Sequence, residues 1–124
     1  MDFSPLHKRG IYLLLLQKRK ESNMKIGKLG SIHLEKGLYL YVGSAKGGFY
    51  KRVKRYLKKK RNKKWHIDYL LDDCELLAII LIPLESLSEE EVVKRLEKIS
   101  KPYVHGFGSS DSKAPSHLLK LLFT

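Results

Sequence analysis

Gly10-Ile11-Tyr12-Leu13-Leu14-Leu15-Leu16 and, further along, Leu38-Tyr39-Leu40-Tyr41-Val42-Gly43 are the two stretches that decide the fold. The first is short, apolar and bounded by basic residues, as a central strand is. The second alternates with the strand period, which puts Tyr39 and Tyr41 on one face. Between them residues 17 to 37 are polar, with glycines at 27, 30 and 37. Short strand pieces near Lys25-Ile26 and Ser31-His33, joined by turns, fit that interval. Ser44 to Gly48 reads as a turn.

From Phe49, apolar groups at 49, 53, 56 and 57 form one helical stripe, and the rest of that helix is almost wholly basic. Trp65 to Asp72 predicts a second, shorter helix. Glu75 to Leu84 is the most apolar strand candidate, ended by Pro83. Ser88 to Ile99 predicts a helix with Val92, Val93, Leu96 and Ile99 inward. Ser88 and Glu91 have capping-box spacing there, and Leu87 with Val92 has staple spacing. Residues 106 to 111 read as a loop and Ser116 to Leu122 as a last short element. This order predicts an α+β fold, a small, mostly antiparallel sheet of three or more strands flanked by helices. The 124 residues suit one domain, 1–124.

Charge is the strongest compositional signal. With 25 Lys+Arg against 13 Asp+Glu, the net charge is +12, a field that attracts polyanions. Ten of the residues from Lys51 to Lys64 are Lys or Arg, all of one sign with no acidic partner among them. Such a run repels itself unless a polyanion lies nearby, so Lys51, Lys54, Arg55, Lys58, Lys59, Lys60 and Arg61 are candidate phosphate contacts. Tyr50, Tyr56 and Trp65 are candidates for stacking on bases, with Tyr56 and Trp65 equally suited to the core. Cys74 is the only cysteine, which excludes an internal disulfide or a multi-thiolate zinc site and fits a reducing compartment. Met1 to Gly10 has no signal-peptide core, and both long apolar runs fall short of the roughly 20 residues that span a bilayer. The expectation is a cytoplasmic protein with a nucleic-acid partner and no membrane partner.

Gly10-Ile11-Tyr12, then Tyr41-Val42-Gly43, then Arg52 in a basic helix resemble the GIY-YIG nuclease superfamily. The stretch from Tyr41 to Leu57 looks like the second half of that motif in the excision-repair incision nuclease. Residues 64 to 70 (KWHIDYL), 106 to 111 (GFGSSD) and 116 to 118 (SHL) are similar to a stand-alone prokaryotic subfamily of GIY-YIG-like proteins. The resemblance implies a GIY-YIG-like fold and a metal-dependent endonuclease that hydrolyses phosphodiester bonds, with DNA favoured over RNA. The alternative is a nucleic-acid-binding module of the same fold without useful turnover.

The resemblance also implies roles. Tyr12 would act as general base or position the attacking water, Tyr41 would help orient water or phosphate, and Arg52 would hold the scissile phosphate. A glutamate opening the later helix would bind one Mg²⁺ or Mn²⁺. A tyrosine base needs its pKa of ~10 lowered, and Arg52 with a bound cation would be the means. His66 is a candidate for proton transfer or phosphate contact, and Tyr56, Asp68, Asp111 and His117 are candidate cleft residues. Tyr12 suits a core position as well, and all of Glu89, Glu90 and Glu91 suit a helix N-terminus by charge alone. Among these three, Glu91 has the spacing to fold back on Ser88, whereas Glu89 lies on the sheet-facing side and is the metal candidate. The long interval from 13 to 40 departs from the superfamily's short hairpin, and Ser112 and Ala114 stand where the subfamily often carries cysteines.

Overall fold

The computed structural model describes residues 4–58, 62–107 and 116–123. Its framework is a five-stranded sheet built from β1 (Gly10–Lys18), β4 (Gly37–Ala45), β5 (Glu75–Ile82), β6 (Ser100–Pro102) and β7 (Leu118–Leu121). The strand order is β5-β1-β4-β7-β6, and every neighbouring pair is antiparallel. The α+β class and the antiparallel sheet flanked by helices are thus as the sequence predicts.

The interval between the two tyrosine strands is a self-contained excursion. β1 and β4 pair along their whole length, from Gly10 opposite Ala45 to Lys18 opposite Gly37. The residues between them form a separate hairpin of β2 (Ser22–Lys25) and β3 (Ser31–Leu34), with a 3-10 turn at Gly27–Leu29. The long connection therefore leaves the register of the central pair intact.

Alternation divides the sheet into two faces. On one, Tyr12, Leu14, Leu16, Tyr39 and Tyr41 pack with Phe49 and Tyr56 of α1 (Phe49–Leu57), Ile67 and Leu70 of α2 (His66–Leu70), and the hairpin residues Ile26 and Leu34. On the other, Ile11, Leu13, Leu40, Val42, Leu119 and Leu121 pack with Val92 and Val93 of α3 (Glu89–Arg95). Consecutive residues are buried in β1 (Ile11 to Leu14), β4 (Tyr39 to Gly43) and β7, which is what a sheet covered on both faces requires.

Several boundaries differ from the sequence expectations. The helix expected over 65–72 spans His66–Leu70, and the strand expected to reach Leu84 ends at Ile82. The helix expected over Ser88–Ile99 has Ser88 as its cap and stops at Arg95. Ile99 lies past its end and is 44% exposed rather than inward. Leu57 closes α1 and is 68% exposed, so it is not part of the buried stripe. Ile99 falls past the end of α3, where the helical phase that would turn it inward is lost, whereas Leu57 is the last residue of α1. The last short element is strand β7, and its partner β6 has no counterpart in the sequence reading. Among the described residues, no helix is long and apolar enough to cross a membrane.

Candidate functional site

The paired central strands bring Tyr12 and Tyr41 together, with ring centroids 6.5 Å apart. Tyr56, projecting from α1, completes the group: its ring lies 5.5 Å from that of Tyr12, and the two hydroxyls are 2.6 Å apart. Gly43 sits opposite Tyr12 in the register, and a Cβ there would collide with the Tyr12 ring. The glycine of the Tyr-Val-Gly motif is therefore the space that lets the Tyr12 phenol lie across the neighbouring strand.

This environment raises the pKa of Tyr12 well above the usual phenol range. Burial is the first cause, followed by the neighbouring Tyr56 and Tyr41, while Arg52 opposes them weakly. Burial raises Tyr41 and Tyr56 as well. A general base requires the opposite direction. The cluster is built to keep its hydroxyls protonated, as hydrogen-bond donors and acceptors.

Arg52 leaves α1 along the rim of this cluster. Its Nε donates to the Ser44 carbonyl at 3.4 Å, and its guanidinium lies 4.4 Å from the centre of the Trp65 ring. Among the described residues it has no ion-pair partner, so its terminal amino groups are available to an anion. Arg55 also lies 4.4 Å from the Trp65 ring centre, but it is committed: Nη2 donates to Asp68 Oδ2 at 2.6 Å and to the Asn62 carbonyl at 3.0 Å. Asp68 is fully buried and also accepts from the backbone N–H groups of Lys64 and Trp65, both at 2.8 Å. It anchors α2 to α1, and its carboxylate faces those donors rather than an open cleft. His66 packs on Phe107 at 5.4 Å, and Phe107 meets the edge of Tyr41 at 6.0 Å. Burial lowers the His66 pKa, which keeps its ring neutral near pH 7.

At the far end of β4, Glu89 reaches in from the first turn of α3. Its Oε1 accepts from Ser44 Oγ at 2.7 Å, and its Oε2 lies 3.2 Å from His117 Nδ1. Glu91 folds back on Ser88 in a capping box, as its spacing predicts. Glu91 thus caps α3 as expected, while Glu89 turns to Ser44 and His117. Burial holds His117 below its usual range, against the pull of Glu89 and Glu90. Magnesium sites are built from one or two carboxylates and water. Here both oxygens of the one carboxylate already face protein partners, and the remaining nearby donor is an imidazole. Among the described residues no group of three or more His, Cys, Asp or Glu side chains converges. Ser44, which ties Arg52 and Glu89 to one strand end, was absent from the sequence candidates. Its only signal was its place directly after the Tyr-Val-Gly motif.

Lys51, Lys54 and Lys58 recur at intervals of three and four, which aligns them as one exposed ridge on the outer side of α1. Of the cations within α1, Arg55 is the one held in an ion pair. Lys59, Lys60, Arg61 and Asp111 lie outside the described residues.

No curated protein and no solved structure matches the chain. The family that does match is not a GIY-YIG-related one, so the resemblance drawn from the two tyrosine motifs is corrected. The nuclease, hydrolase and magnesium assignments taken from that resemblance lose their basis with it. The chain belongs to the family described as Domain of unknown function DUF123, whose model matches residues 11–123.

Proposed function

We propose that this chain is a nucleic-acid-binding module that holds phosphates along the outer ridge of α1 and at Arg52. The observation that carries the reading is the cationic side of α1, where among the described residues the acidic partner of the helix's own cations is Asp68, held by Arg55. Lys51 and Lys58 are about 10 Å apart along the helix, at ~1.5 Å per residue. That distance matches roughly three phosphate steps of one strand at ~3.4 Å each.

The test is the salt dependence of affinity for DNA and RNA oligonucleotides. Each neutralised phosphate on a duplex contributes ~0.9 to the log–log slope. Replacing Lys51, Lys54 and Lys58 together by glutamine should flatten that slope by about 2.7. Affinity for all sequences should fall alike. A slope near zero for the unaltered protein would refute the reading. Incubation of the same oligonucleotides with Mg²⁺ or Mn²⁺ separates binding from turnover, and the expected outcome is intact strands.

A further inference from the structure

Three aromatic residues stand in or beside the basic segment, and the structure gives them different fates. Tyr56 is buried, with its hydroxyl on Tyr12. Trp65 has the guanidinium groups of Arg52 and Arg55 each 4.4 Å from its ring centre, with the Lys64 ammonium at 5.5 Å. Its π surface is already used by cations. Tyr50 differs from both: it is 52% exposed, belongs to neither core cluster, and has the Lys54 ammonium 5.9 Å from its ring centre. Leu57 lies two turns further on the same flank of α1 and is also exposed.

α1 therefore carries three strips. Arg52 and Arg55 lie toward Trp65, Lys51, Lys54 and Lys58 form the ridge, and Tyr50 with Leu57 forms an apolar flank beside that ridge. We infer that Tyr50 is a stacking platform for an unpaired base, so that the preferred ligand of this surface is a single-stranded or locally unpaired nucleic acid. The inference rests on the nucleic-acid reading above. It follows from charge complementarity: a strand whose phosphates follow the lysine ridge brings its bases to the flank beside it. Paired bases present only their edges, whereas unpaired bases present the π faces that an exposed aromatic ring can cover. An interfacial membrane helix offers a much larger apolar face than these two side chains.

The test compares the unaltered protein, Tyr50→Phe and Tyr50→Ala by fluorescence anisotropy on three probes: oligo-dT, an abasic strand of the same length, and a duplex. Tyr50→Ala should weaken oligo-dT binding by roughly 5- to 150-fold, the range that base–aromatic stacking supplies. Tyr50→Phe should retain the affinity. Abasic and duplex probes should change less than about twofold, with the salt slope unaltered. An equal loss on the abasic strand or the duplex would overturn the stacking role, as would no loss on oligo-dT. A loss seen only with phosphatidylserine vesicles would assign Tyr50 to a lipid surface instead. If the unaltered protein binds none of the oligonucleotides at low salt, the nucleic-acid reading fails, and the stacking role fails with it.

Discussion

Asp68→Ala should be among the most destabilising single changes on the helical side of the sheet. The carboxylate is fully buried, and one oxygen, Oδ2, accepts three hydrogen bonds: from Arg55 Nη2 and from the backbone N–H groups of Lys64 and Trp65. Removing it strands a mostly buried guanidinium and two backbone donors at the start of α2. Loss of one partner of a buried ion pair costs about 3–5 kcal/mol. The Arg55 side chain is 22% exposed and keeps its bond to the Asn62 carbonyl, which argues for the lower end, ~3 kcal/mol. Asp68→Asn is the informative comparison. Because these three bonds converge on one oxygen, an amide carbonyl placed there preserves their geometry and loses the charge, while the amide NH2 takes the buried place of the other oxygen. Charge-assisted hydrogen bonds are roughly twice as strong as neutral ones, so the expected cost is ~1–2 kcal/mol. Urea unfolding should show the midpoint falling in the order unaltered, Asn, Ala, with the slope m unchanged. An alanine variant within ~0.5 kcal/mol of the unaltered protein, the range of ordinary surface changes, would refute the anchoring role. Equal costs for Asn and Ala would refute the claim that geometry carries part of it.

Three further outcomes follow from the same packing. Gly43→Ala should cost about 1–3 kcal/mol by forcing a Cβ into the Tyr12 ring, and much of that cost should vanish in a Tyr12→Leu background, as a double-mutant cycle by urea unfolding would read. Tyr12→Phe should cost ~1–2 kcal/mol in the same assay, because it leaves the Tyr56 hydroxyl without its partner, and should leave the salt slope of nucleic-acid binding unaltered. His117 and His66 both have pKa values lowered in the folded state, so the unfolded chain takes up their protons first as pH falls. Their contribution to stability is present above about pH 6.5 and declines as pH drops below it toward the folded values. Unfolding free energies measured from pH 8 to pH 5 should decline in that window, and His117→Gln should flatten the decline.

The central strands were legible because alternation survives in single residues: Tyr39, Tyr41 and the leucines between them fall on opposite faces as their spacing requires. The convergence of Tyr12 and Tyr41 was not legible, since nothing in residues 13–40 states that β2 and β3 pair with each other and return the chain to register at Gly37. The difference between Glu89 and Glu91 was legible, because a capping box is a local device fixed by three-residue spacing. Strand β6 was not, because three residues ending in proline carry no period and acquire their structure only from β7. Leu57 and Ile99 show the reverse problem: local spacing promised burial, and the ends of α1 and α3 withdrew it.

The tyrosine site shows where a motif stops informing chemistry. The structure gathers Tyr12, Tyr41, Tyr56 and Arg52 at one strand end, and a reading of those residue types alone makes Tyr12 a base activated by a cation. The energetics depend instead on what surrounds the hydroxyl. Tyr12 is buried among two further phenols, and the influence of Arg52 is the smallest of those acting on it. Arg52 itself is drawn toward Trp65 and the Ser44 carbonyl, at the rim of the cluster. The same four residues that spell a hydrolytic site in sequence thus form a protonated, hydrogen-bonded floor beside a cationic rim.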